Sequence, residues 1–176
     1  MNASCASVAK APQGKRRAFL AAFAAIPFST LAQSMTDVPE PTPAQPDAPL
    51  AQRIARRYRV APSAVDRIIK LAERHFPADP LLLLSIVGVE SSWRPWAVGT
   101  VGEVGLCQVR PDLHGASATA LADPAVNIRV AGRVLRQCLA RAGGDIAAAV
   151  ARYNGRGAAA EEYARRVLEE RERLLA

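Results

Sequence analysis

The sequence predicts a mostly α fold: one compact helical domain interrupted by a single irregular segment. Three observations lead there. Half of the 176 residues are hydrophobic but only 5% are aromatic, so the core is built from Ala, Leu, Val and Ile, a helical rather than a strand vocabulary. Two Asp-Pro pairs, Asp79-Pro80 and Asp123-Pro124, combine a capping carboxylate with a proline at the first helical position. From Leu50 onward apolar residues recur at helical spacing, except between residues 92 and 122, where glycines and prolines replace the period. A chain of this length buries one core, not two.

The elements follow in order. Leu50, Ile54 and Tyr58 share one face of a first helix. Pro62-Ser63 opens a second, with Val65, Ile68, Ile69 and Ala72 inward, running to about His75. The helix after Asp79-Pro80, from Leu81 to Glu90, is apolar nearly all round and belongs at the centre of the domain. Asp123-Pro124 starts a helix to about Ala142 that Gly143-Gly144 closes. Asp145 caps a short helix ending near Tyr153, and the last helix, from about Ala158, carries Tyr163, Val167, Leu168 and Leu174 on one side. The long irregular segment between residues 92 and 122 is of the kind that is usually functional inside a compact domain.

Upstream of the domain, residues 1–32 read as an export signal. Lys10, Lys15, Arg16 and Arg17 form its basic start, Ala18 to Ile26 its apolar stretch, and Thr30-Leu31-Ala32 a small-residue cleavage site. The apolar stretch is too short to span a bilayer. Lys15-Arg16-Arg17-Ala18-Phe19-Leu20 fits either an ordinary secretory or a twin-arginine signal. Residues 33–49, with Pro39, Pro41, Pro43, Pro46 and Pro49, read as an extended linker, leaving 50–176 as the domain. The expected location is periplasmic, without stable membrane insertion after cleavage.

Removing that leader changes the charge argument. It holds four of the 23 Lys+Arg and none of the 16 Asp+Glu, which leaves 19 against 16, a formal charge of +3. No basic block with interleaved aromatics survives, so nucleic acid is not an expected partner. Cys107 and Cys138 remain as an even pair in an oxidising compartment; a disulfide is expected, with two buried thiols as the alternative. His75 and His114 show no ligand spacing with either cysteine, so neither a metal site nor a cofactor is expected.

The residue that carries chemistry is Glu90. A carboxylate at the end of an aliphatic helix meets poor solvation, which favours its protonated form and suits a general acid. Negative charge at a helix C-terminus is also unfavourable. Glu90-Ser91-Ser92-Trp93-x-Pro95-x-Ala97 is followed by Gly102-x-x-Gly105-Leu106-Cys107-Gln108, Asn127-Ile128, Tyr153-Asn154-Gly155 and Tyr163-x-x-x-Val167. This order and spacing resemble the soluble-lytic-transglycosylase-like (SLT) domain family of the lysozyme-like superfamily, over about residues 55 to 170.

The resemblance implies an α+β lysozyme-like fold and a peptidoglycan lytic transglycosylase. Such an enzyme cleaves the β-1,4 bond between N-acetylmuramic acid and N-acetylglucosamine without water, leaving 1,6-anhydro ends, with Glu90 as single acid and base. Rival readings are a hydrolytic lysozyme on the same fold, needing a second acid such as Glu103 or Asp112, and a peptidoglycan-binding assembly module. The resemblance further implies that Ser91, Gly105, Gln108, Tyr153, Asn154 and Tyr163 contact the glycan or Glu90. Each has a bland alternative: Ser91 capping its helix, Tyr153 as a core aromatic, Asn154-Gly155 as a turn. Trp93 is expected to pack inside and Trp96 to lie more open.

Departures from the family pattern are Cys107 for Met, Gly99 for a common serine, and Glu103 for a small residue. Glu103 is read as a solvated turn residue, with an auxiliary acid or substrate contact as alternatives. In relatives that serve secretion machinery, a cysteine near the N-I motif pairs with one on the following helix; here Val126 or Ala125 stands there, so Cys107 is the expected partner of Cys138. Peptidoglycan strands, and a secretion or conjugation machine of the envelope, are the implied partners.

Overall fold

The computed structural model describes residues 48–176; the expected leader and nearly all of the linker lie outside them. The described residues form eight helices: α1 (Leu50–Tyr58), α2 (Pro62–His75), α3 (Pro80–Ser91), α4 (Pro111–His114), α5 (Ala118–Leu121), α6 (Pro124–Arg141), α7 (Ile146–Asn154) and α8 (Ala158–Leu175). Among the described residues, β structure is confined to isolated antiparallel bridges, Val98 with Val104 and Val104 with Val109. The fold is mostly helical and consistent with the lysozyme-like expectation.

The start signals work as local chemistry dictates. Asp79 accepts from Leu82 N at 3.0 Å, Asp123 from Ala125 N and Val126 N, and Asp145 from Ala148 N. Each satisfies amides that a helix leaves orphaned at its N-terminus. The segment expected to be irregular throughout contains two single-turn helices, α4 and α5. α4 begins with Pro111, and α5 is capped by Ser117, whose Oγ accepts from Ala120 N at 3.1 Å. Four-residue helices are too short to establish a period, so periodicity could not reveal them.

α3 is the axle of the domain. Leu82 through Gly88 are all buried, and α2, α6 and α8 pack around them. α8 lies between α3 and α7, and its buried Glu170 clasps α1. Tyr58 Oη donates to Glu170 Oε1 at 2.5 Å, while Arg57 and Arg173 donate to Oε2 at 3.1 and 3.2 Å. Gly88 makes room for this: a Cβ there would lie 2.7 Å from the Tyr58 hydroxyl oxygen. Arg171 pairs with Asp79 at 2.9 Å, tying α8 to the capped start of α3.

Burial, followed by the bond to Glu170 and its charge, pushes Tyr58 up from 10.0 to about 12, with Arg57 opposing. The folded state therefore holds the phenolic proton more tightly than the unfolded chain does. The contribution is fully present below pH 10 and lost as pH rises toward about 12. Urea midpoints of the wild type and of Tyr58→Phe should thus differ at neutral pH and converge across that interval.

Candidate active site

The site is built where α3 stops. Ser92 and Trp93 both take left-handed backbone conformations, φ 51° and 65°, although neither is glycine. Non-glycine residues hold such angles only where surrounding structure demands it. Here the demand comes from Trp93, which is buried with its ring centroid 6.0 Å from that of Tyr58. The reversal ends the helix just after Glu90 and sends the chain into a loop over residues 94–110. Glu90 therefore sits at the last turn of the central helix, its Oε1 buried.

The loop folds back on itself. Val104 and Val109 exchange both backbone hydrogen bonds at 3.0 Å, and Gly105 N donates to Ala97 O at 2.8 Å. Gln108, at φ 48°, donates from Nε2 to Ala97 O at 3.1 Å and Gly105 O at 2.9 Å, bracing two loop arms. Asn127 on α6 holds the whole from below. Its Oδ1 accepts from Cys107 N at 2.8 Å, and its Nδ2 donates to Val104 O at 2.8 Å and Leu121 O at 2.9 Å. Gly105 must be glycine: φ is +80°, and a Cβ would collide with the Asn127 amide and lie 2.7 Å from Leu121 O.

Three buried groups gather round the carboxylate. Burial first, then the negative charge of Glu90, pushes the Cys107 thiol well up. Tyr153 is raised by burial, then by Cys107 and Glu90. Tyr163 is raised by burial, then by Glu90, which its hydroxyl approaches without strict hydrogen-bond geometry to any group. All three therefore stay protonated and neutral. Among the described residues, Glu90 is the carboxylate whose charge reaches them.

The remaining expected site residues divide. Tyr153 does not bond Glu90; its hydroxyl donates to Cys107 O at 3.1 Å and so positions the loop beside the acid. Ser91 Oγ donates back to Val87 O at 3.1 Å within its own helix. Asn154 is buried at the end of α7, before Gly155. Trp93 is in the core, while Trp96 and Val98 are each 72% exposed and Val101 is exposed on the same loop. Asn127, in the sequence only a member of the Asn127-Ile128 motif, organises the loop. The available signal was a polar residue on the inward stripe it shares with Val130, Ala131, Val134 and Cys138.

Two expectations are corrected. Cys107 is a free, buried cysteine, not the disulfide partner of Cys138. Its amide is held by Asn127, and Cys138 lies eleven residues further along the same helix, about 16 Å down the axis. A disulfide needs Cα atoms within about 7 Å. Glu103, expected to be a solvated turn residue, is only 3% exposed. It accepts from Val101 N at 3.1 Å, and it fits because Gly99 has no side chain. A Cβ at Gly99 would collide with Glu103 Oε2 and lie 2.8 Å from Gln108 Oε1. Positions 99 and 103 therefore share one space. Asp112, by contrast, is exposed and paired with Arg110.

Asn127→Ala should destabilise the domain by about 2–4 kcal/mol, since Cys107 N and Leu121 O lose their partner and Val104 O keeps only Val109 N; urea denaturation measures it. Gly99→Ala should lower the thermal midpoint, and adding Glu103→Ala should recover part of the loss. Equal, additive losses would contradict a shared space.

No curated protein matches the chain. The family model described as the transglycosylase SLT domain matches residues 67–174, which include Glu90, the braced loop, Asn127 and both buried tyrosines. The chain belongs to the transglycosylase SLT domain family.

Proposed function

We propose that this protein is a peptidoglycan lytic transglycosylase that cleaves the bond between N-acetylmuramic acid and N-acetylglucosamine with Glu90 as its single acid and base. The observation that carries the reading is the setting of Glu90: a carboxylate at the end of an apolar helix, ringed by three neutral buried groups. Family membership supports transglycosylase activity on peptidoglycan. Glu90 gives its proton to the glycosidic oxygen as the C1–O bond breaks. The resulting carboxylate takes the proton of the muramoyl 6-hydroxyl as that oxygen closes onto C1. One bond forms for one broken, the proton returns to Glu90, and no water is consumed.

A hydrolase of the paired-carboxylate kind needs a second acid facing the first. Neither candidate suits that role: Glu103 turns into its own loop and Asp112 is engaged by Arg110 at the surface. The exposed ring of Trp96 suits stacking against a sugar face. The export signal expected over residues 1–32 is the ground for proposing a periplasmic location, with an envelope secretion or conjugation machine as a further proposed partner.

Purified peptidoglycan digested with the full chain should yield fragments lighter by one water than hydrolytic products, read by mass spectrometry. Glu90→Gln should cut the rate by about 10²–10⁴-fold. Reducing-end fragments would instead identify a hydrolase. Binding with no cleavage by either protein would identify an assembly module.

A further inference from the structure

α6 carries Arg129, Arg133, Arg136 and Arg141 and not one Asp or Glu between Pro124 and Arg141. The first three, at i, i+4 and i+7, form one stripe on the side of the helix away from its buried face. Like charges at that spacing repel and cost stability. α8 shows the ordinary remedy: Arg165, Arg171 and Arg173 each pair with a carboxylate. For Arg129, Arg133 and Arg136 that remedy is missing: none of the three forms an ion pair among the described residues.

The three line a single cavity of about 540 Å³, together with His114 and Ser117. Arg133 gives one nitrogen to His114 O at 3.1 Å, and Arg136 gives one to His75 O; both partners are neutral carbonyls. Arg129 makes no hydrogen bond among the described residues. Ser117 Oγ accepts from Ala120 N, so its own proton remains to be donated. The two histidines register the excess charge. Burial and then neighbouring arginines hold both below the ordinary imidazole value, with Arg133 acting on His114, and Arg74, Arg129 and Arg136 on His75.

We propose that this cavity is an anion site for a phosphate group, separate from the carboxylate centre at Glu90. A carboxylate is satisfied by one guanidinium fork. Three guanidiniums and a hydroxyl round one space match the higher charge and the several oxygens of a phosphate. Free phosphate and the phosphate of a lipid headgroup share this chemistry.

The test is calorimetric titration of the full chain with inorganic phosphate, with acetate at equal ionic strength as control. Vesicles of phosphatidylglycerol and of phosphatidylcholine are sedimented in parallel. Arg129→Gln is the variant, because it leaves the bonds of Arg133 and Arg136 to their carbonyls in place. Saturable phosphate binding, weaker by at least about tenfold in the variant, supports the site and a free phosphate ligand. Sedimentation with phosphatidylglycerol alone, lost in the variant, supports it with a headgroup as the source. Equal responses to acetate, or equal responses of the two proteins, overturn it. Peptidoglycan cleavage should be the same in both proteins, so failure here is distinguishable from failure of the Glu90 reading.

Discussion

One amide side chain holds the site together. Asn127 offers one acceptor and two donor hydrogens, and it spends them on Cys107 N, Val104 O and Leu121 O. Buried backbone groups without partners are costly, and a loop that folds across the end of a helix creates several. By bonding three at once, two of which have no other partner among these bonds, Asn127 ties together α6, the loop after α3 and the entry to α6. The Cys107 carbonyl then receives Tyr153, and Gly105 fits because it has no side chain to strike the amide.

This tie matters for the carboxylate. Glu90 is delivered by α3, whose apolar circumference leaves it no position but the core, and the strained reversal at Ser92 and Trp93 stops the helix there. The loop brings a thiol and the helices bring two phenols, all kept neutral by burial. An acid in such a setting acts among preorganised dipoles instead of reorienting water. Within the loop, Glu103 occupies the space that Gly99 leaves.

The helices were legible because their causes are local. Caps at Asp79, Asp123 and Asp145, and the apolar periods between them, depend on residues a few positions apart. The all-round apolar character of α3 was enough to place it centrally and to single out Glu90 at its end. α4 and α5 escaped because four residues make no period, and the solvation of Glu103 was misjudged because its burial depends on a glycine four residues earlier.

What the sequence determined by itself, then, was the order and limits of the long helices, the central place of α3, the candidate acid and the family pattern around it. Tertiary structure alone decided that Tyr153 serves the Cys107 carbonyl while Tyr163 approaches the acid, that Cys107 is a free thiol away from Cys138, and that Asn127 is the clamp. It also decided that His114 and Ser117 close a cavity with the arginines of α6. The physical reason is range: capping and periodicity act over one or two turns, whereas these pairings join residues tens of positions apart, whose approach only the packing of α3, α6, α7 and α8 fixes.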